Sequence, residues 1–428
     1  MGMPKPSSIV NSRAKKRIDF AFICGIMKKK LREKRKIKML TMEGLKNLVE
    51  KNMPWAIETR RALHKIPETG FQEVKTRKLI SEKLSEIGCE FKEENGWITA
   101  FIKGGKPGPI TGIRADFDAL PVTEPEGCPF RSEHEGWMHA CGHDMHTAIL
   151  LTAGKIANEI RDDLPGGLKL LFQPAEESIG GAKPMVEGGV MENPTVDRVY
   201  GLHVMPRLVT GNVETRPNTL NASTDTISIT VKGTSSHGAY PENGADAIVC
   251  AAQIITALQS IVARNVSPLE SAVITIGKIE GGRASNIICD EVRMKGTLRT
   301  ANKALREMMM KRISDISNMI ASGMGCTAEA EVSEGYSALV NTPAHADRIL
   351  DIASELFGKE NALVKDAPSM GGEDFSYFLD KAPGAFFHVG CSPDKDHIGA
   401  PLHSELFNPD ENCMRVGVLM ELMLAVKE

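Results

Sequence analysis

His139-Ala140-Cys141-Gly142-His143-Asp144-Met145-His146 concentrates groups that bind metals or move protons. Cys141 and His143 stand two apart, so an extended backbone points both side chains the same way. A helix would not pair them, because its facing positions lie three and four apart. A Cys-x-His pair in extended chain leading into a helix is a plausible metal edge. The bland alternative is a buried thiol among scattered surface histidines, and the rest of the chain weighs against it. The apolar run 168–172 leads into Gln173-Pro174-Ala175-Glu176-Glu177. The run 199–202 ends at His203, the run 385–387 precedes His388, and Leu402-His403-Ser404-Glu405 follows. Acids and imidazoles thus recur just past the carboxyl ends of expected strands, the edge at which open α/β sheets bind ligands.

The elements that must position these groups follow from apolar spacing. Helical periodicity runs over 45–63, 74–87 and 144–160, with Asp144 as the expected N-cap of the third. Residues 97–102 and 109–114 read as strands around a glycine-rich turn at 104–108. Strand and helix alternate, so this half is α/β. Near Pro217 the pattern changes. Strands at 226–231, 272–279, 291–298 and 327–332, with helices at 245–263 and 304–320, give β-α-β-β-α-β, a ferredoxin-like split βαβ unit. Helical spacing returns at 344–357 and 414–425. Residues 219–335 are therefore expected as an insertion into a catalytic domain built from 42–218 and 336–428.

Composition narrows the class. A chain of 428 residues, 42% hydrophobic and 25% charged, is a soluble globular protein of about two domains. Nine cysteines without close spacing favour reduced thiols and a cytoplasmic setting. Thirteen Lys/Arg against two Asp/Glu give residues 1–40 a charge of +11, so the remainder of a chain at −3 carries −14. An acidic body argues against nucleic acid as a partner. The basic residues 1–41 read as a disordered leader. Their apolar stretch 20–27 is too short to span a bilayer, and charge follows it rather than precedes it, unlike a secretory signal. No other segment is expected to cross a membrane.

His139-Ala140-Cys141-Gly142-His143-Asp144, Pro174-Ala175-Glu176-Glu177, Gly201-Leu202-His203 and Leu402-His403-Ser404 resemble the amidohydrolase branch of the aminoacylase/carboxypeptidase family of dinuclear metallopeptidases. Arg114-Ala115-Asp116-Phe117-Asp118-Ala119-Leu120-Pro121 and Gly371-Gly372-Glu373-Asp374-Phe375 match as well. The likeness runs from about Met42 to the C-terminus. It implies a zinc-exopeptidase-like α/β catalytic domain with a mixed central sheet, interrupted by a ferredoxin-like α+β lid that often dimerises. It implies two divalent ions per chain (Mn, Zn, Co or Ni), a small N-acyl amino acid or short peptide as substrate, and a homo-oligomer, dimer or tetramer. Carried over residue by residue, it makes Cys141, His143, Glu177, His203 and His403 the metal ligands and Glu176 the general base. Asp118 orients a ligand from behind. His237 in the lid reaches the scissile carbonyl, sometimes across a dimer interface, and Asn286 and Arg299 meet the substrate carboxylate. Other branches carry His-x-Asp near the first strand, where this chain has Asp116-Phe117-Asp118. That difference favours the branch that uses a cysteine.

The chemistry suits those residues. Amide hydrolysis needs a nucleophile at neutral pH and a Lewis acid on the carbonyl oxygen, and paired divalent ions supply both. A carboxylate beside the water shuttles its proton to the leaving nitrogen. Adjacent Glu176 and Glu177 suit a division of labour, because in extended chain one meets metal while the other meets water. His139 and His146 are expected behind the ligands, Glu373 near substrate, and Met308-Met309-Met310 in the core. The leading reading is hydrolysis of N-acyl amino acids. A carboxypeptidase or dipeptidase with the same machinery is the alternative. A non-catalytic metal-binding protein would have no use for Glu176.

Overall fold

The computed structural model describes residues 41–427 together with Met1 and Gly2. The leader expected over residues 1–41 otherwise lies outside the described residues. Helix α1 (Met42–His64) starts where the Thr41 hydroxyl accepts the Gly44 N–H, and α2 (Val74–Glu86) follows. Three strands come next: β1 (Phe91–Glu94), β2 (Trp97–Lys103) and β3 (Lys106–Asp116). Strand β3 starts earlier than its apolar run, so the turn before it is shorter than the glycines suggest. After α3 (His143–Glu159) come β4 (Pro165–Gln173), the short α4 (Ala182–Glu187), β5 (Arg198–Val209), β6 (Val213–Thr215) and β7 (Asn218–Asn221).

The second unit runs β8 (Asp225–Lys232), α5 (Ala247–Asn265), β9 (Ala272–Gly281), β10 (Glu291–Thr300), α6 (Lys303–Gly323) and β11 (Thr327–Glu334). Its four strands form their own sheet in the order β11-β8-β10-β9, every neighbour antiparallel. This is the ferredoxin-like arrangement. The alternation in β8 explains it: Ile227, Ile229 and Val231 face inward. They pack on Cys250, Ile254 and Leu258 of α5 and on Met309 and Ile313 of α6 in a core of their own. Helix α5 does have the length and apolar composition to cross a membrane, which the sequence reading denied to every segment beyond the leader. Here one face of it covers the sheet.

The chain then returns through β12 (Leu339–Asn341), α7 (Pro343–Phe357), β13 (Ala362–Val364), α8 (Ser376–Leu379), β14 (Gly384–Ser392) and α9 (Cys413–Val426). Strand β12 pairs with β7 alongside the exit to the second unit. The large sheet is mixed, in the order β1-β2-β4-β3-β5-β14-β6-β13. Its centre, β4-β3-β5-β14, is parallel. These strands are apolar almost throughout, as strands covered on both faces must be. Helices α1, α3 and α9 pack together over one face in the main core. A smaller cluster around Met185, Leu220, Phe375 and Phe378 covers the other. Strand β3 pairs with β5 only as far as Gly201. Beyond that point β3 leaves the sheet through Phe117 and Asp118, and a crevice opens at the carboxyl ends of the parallel strands, as such sheets provide.

Candidate metal centre

The candidate donors around that crevice come from four places in the chain. The octad does not run as extended chain into a helix. Cys141 lies in a turn, Gly142 takes the left-handed conformation at φ +88°, and His143 is the first residue of α3. Gly142 is also the N-cap position, so Asp144 does not cap α3. It sits in the first turn, with Oδ2 2.8 Å from His64 Nδ1 and 2.8 Å from Arg60 Nε. Only glycine fits at 142, because an added Cβ would stand 2.5 Å from Val204 Cγ2. Glu176 and Glu177 likewise lie in a turn, not in extended chain. Ala175 at φ +59° bends β4 into it, and both carboxyls line one cavity. His203 projects from β5 beyond its pairing with β3. His403 comes from a loop whose N–H donates to the Ala140 carbonyl at 2.9 Å, which pins it to the Cys141 turn.

The donor atoms converge. Cys141 Sγ is 3.3 Å from His203 Nε2 and 3.4 Å from His403 Nε2. Glu177 Oε1 is 2.9 Å from His403 Nε2 and 4.0 Å from His143 Nε2. Two groups of three donors, Cys141-His143-His203 and Cys141-Glu177-His403, each fit within 4.8 Å and share the one sulfur. His143 Nε2 is buried with no hydrogen-bond partner among the described residues. A buried orphan nitrogen is costly unless something binds it. Nitrogen, sulfur and carboxylate donors together suit borderline divalent ions, so the residues present fit the metals that the sequence implies.

Residues behind the donors fix their orientation. His143 Nδ1 is 3.0 Å from the Asp118 carbonyl and 3.2 Å from its Oδ1, while Asp118 Oδ2 accepts the Glu177 N–H at 2.9 Å. His203 Nδ1 meets the Val204 carbonyl at 2.6 Å. His146 has both nitrogens engaged: Nδ1 with Asp116 Oδ1 at 2.6 Å, Nε2 with the Val204 N–H at 3.0 Å. It therefore stands behind the site. His139 is buried next to His64, and neither ring nitrogen finds a partner among the described residues.

Charge in the crevice is unevenly placed. Burial pushes the His143 imidazole down, but Asp116, Asp118 and Glu177 outweigh it and raise the group to about 10. Burial, then the neighbouring Glu177, pushes the Cys141 thiol well up. Burial also pushes Glu177 up, yet His403 and His143 hold it below the usual carboxylate range. Glu176 goes the other way. Burial first, then the carboxylates of Glu373, Asp374 and Glu177, hold its proton well above that range. Adjacent carboxyls thus differ in proton affinity.

Arg299 of β10 lines the same cavity of about 680 Å³, and so does Glu373. Glu373 is buried beside Arg114, 3.2 Å from its guanidinium. His237 and Asn286 do not line the cavity. They lie together at one end of the second sheet, both exposed, with the Gly238 N–H on the Asn286 carbonyl at 2.8 Å. Sequence reasoning passed over three features here. Asp116 holds His146 and Arg114. Arg114 binds Gln173, Asp116 and Asp374 in a buried network. Tyr336, which follows β11, donates its hydroxyl to the Glu176 carbonyl at 3.3 Å. A charged residue inside the apolar strand 110–115 was the available signal for Arg114. Nothing local marks Tyr336.

The family model for Peptidase family M20/M25/M40 matches residues 112–425. The chain belongs to that family. Its relatives include Thermostable carboxypeptidase 2 of Saccharolobus solfataricus, 38% identical over 392 residues, covering 90% of this chain and 98% of the relative. N-acetyldiaminopimelate deacetylase of Bacillus velezensis is 40% identical over 365 residues, covering 85% and 95%. A solved Bacillus subtilis structure, described as a dinuclear metal binding peptidase from the M20 family, superposes with a TM-score of 0.77 at 33% identity, covering 88% of this chain and 98% of that one. This M20 chain is a metal-dependent amidohydrolase with the zinc-exopeptidase-like fold expected from its motifs.

Proposed function

We propose that the chain hydrolyses the amide bond of N-acyl amino acids at a dinuclear centre, with Glu176 as the general base. One observation carries the reading: Cys141, Glu177, His203 and His403 line one cavity with Glu176 at the carboxyl ends of the parallel strands, and His143 groups with Cys141 and His203 beside it. Cys141, His143, Glu177, His203 and His403 would hold the ions, with Cys141 shared between the two donor groups. When bound, the ions would supply Lewis acidity at the substrate carbonyl. Glu176 takes a proton from the attacking water and delivers it to the leaving nitrogen. Neighbouring carboxyls whose environments push their proton affinities apart are the usual mark of such a division. Arg299, with its bidentate fork, would take the substrate carboxylate from the cavity wall.

His237 and Asn286 enter this reading from the lid, residues 219–335. They reach a cavity only by closure or from a second copy. The exposed Ile248 and Val249 of α5 and Val273 and Ile279 of the edge strand β9 support pairing of two lids. The cytoplasmic setting expected from the cysteines belongs to the same reading. The names of the carboxypeptidase relatives keep peptides as a second substrate class.

Elemental analysis after reconstitution with Mn²⁺, Zn²⁺ or Co²⁺ should approach two equivalents per chain. A panel of acetyl-, benzoyl- and indole-acetyl-amino acids against short peptides then ranks substrates. In Glu176→Gln the metals should stay while turnover falls by about 10²–10⁴-fold. Near-normal turnover in that variant would remove Glu176 from the role.

A further inference from the structure

A second cavity, of about 550 Å³, opens between the C-terminal turn of α1 and the segments 124–130 and 405–412. It shares no lining residue with the metal cavity. On its wall an imidazole nitrogen of His64, a carboxylate oxygen of Glu124 and the sulfur of Cys128 fit within 4.8 Å of one another. Glu124 is buried and anchored. Its Oε2 accepts the Ser132 N–H at 2.7 Å and its carbonyl accepts from Arg131 at 2.9 Å. The other oxygen lies 3.2 Å from His64 Nε2. Gly127, at φ +113°, turns the chain between Glu124 and Cys128. Cys128 is half-buried, whereas the other described free cysteines are buried. It is therefore accessible from the cavity.

The far side of His64 matters as much. Its Nδ1 is 2.8 Å from Asp144 Oδ2, and Asp144 is buried. A carboxylate on one ring nitrogen fixes the imidazole and makes the other nitrogen a better ligand, the support found behind metal-bound histidines. An ion pair between His64 and Glu124 would need no thiol beside it. One sulfur, one nitrogen and one carboxylate oxygen are the donors of zinc, and three protein donors leave a fourth position open to the cavity.

We propose that His64, Glu124 and Cys128 form a third divalent-cation site, suited to zinc and separate from the dinuclear centre. An ion there clamps the last turn of α1 to the segment that runs on to Cys141. The test uses the full chain with its dinuclear centre loaded with Mn²⁺. Iodoacetamide labelling of Cys128 is followed by peptide mass, with and without Zn²⁺ at fixed free concentration. At ten times the dissociation constant, labelling should slow about ten-fold. Glu124→Gln, whose carbonyl can still accept from Ser132, should lose that protection. Elemental analysis should find one zinc equivalent fewer in Cys128→Ser than in the parent. Labelling that ignores zinc overturns the site. So does equal protection in Glu124→Gln, which would leave a thiol acting alone, and so does an unchanged zinc count in Cys128→Ser.

Discussion

Asp118 stands behind two candidate ligands at once. It accepts the Glu177 N–H on one carboxylate oxygen and faces His143 Nδ1 with the other. The result is that His143 Nε2 points to the crevice while Nδ1 is held. Asp118→Asn keeps the size but sets an amide donor against one of those two N–H groups. Metal affinity should fall by about 10–100-fold with the fold intact, the usual effect of losing support behind a ligand. Competition with a chromogenic chelator measures it, and unchanged affinity would show that the Asp118 carbonyl alone orients His143. At this scale the motifs were informative where a candidate ligand sits beside small or rigid residues that shape its turn, as Gly142 does for Cys141 and His143. Arg114, Asp116 and Tyr336 were not visible in the same way. Their partners lie far off in sequence, as Arg114 with Asp374 does, and no local spacing encodes such a contact.

Elements explain where the local reading slipped. Alternation brings a pair such as Cys141-x-His143 together in extended chain, but a left-handed Gly142 achieves the same convergence in a turn. Ala175 does likewise for Glu176 and Glu177. Left-handed residues leave no periodic trace, so periodicity located α3 and β4 but missed how α3 begins and how β4 ends. Helix α9 shows a different limit. Its apolar spacing was clear, yet it buries Glu421 at 1% exposure with neither carboxyl oxygen partnered among the described residues. Burial pushes this carboxyl well above its ordinary 4.5. The folded chain then keeps a proton that the unfolded chain releases above 4.5. Unfolding therefore loses a proton, and stability falls as pH rises from there until the folded carboxyl itself ionises. Glu421→Met fits a methionine-rich helix and removes the unpartnered oxygens. It should gain about 1–3 kcal/mol near neutral pH and flatten the pH dependence of Tm. Calorimetry across pH checks both. An unchanged Tm would mean that the carboxyl is satisfied by a bound water.

At the scale of the whole molecule, the two larger sheets divide the candidate site unequally. The α/β part supplies the donors and Glu176, while His237 and Asn286 sit on the far end of the inserted sheet. The β-α-β-β-α-β order was readable because each strand and helix there has clean periodicity. The distance from His237 to the donors was not, because it depends on how the second unit sits on the large sheet. The local geometry of His237 nonetheless suits it to donate. Its Nδ1 accepts the Ala239 N–H at 3.0 Å, so in the neutral ring the proton is on Nε2 and faces outward. A donor of that kind stabilises an oxyanion in the transition state, provided that a cavity meets it. Paired lids would let each chain present His237 to its partner. Mixing His237→Ala with Glu176→Gln distinguishes this from closure within one chain. In the trans arrangement each mixed dimer has one complete site, Glu176 from one chain and His237 from the other. Random exchange in a two-fold dimer then restores about a quarter of parental activity from two inactive parents. In the cis arrangement no mixed dimer has a complete site, and activity stays at the parental-variant background. Steady-state rates on the mixture, with exchange verified by native mass spectrometry, decide between them.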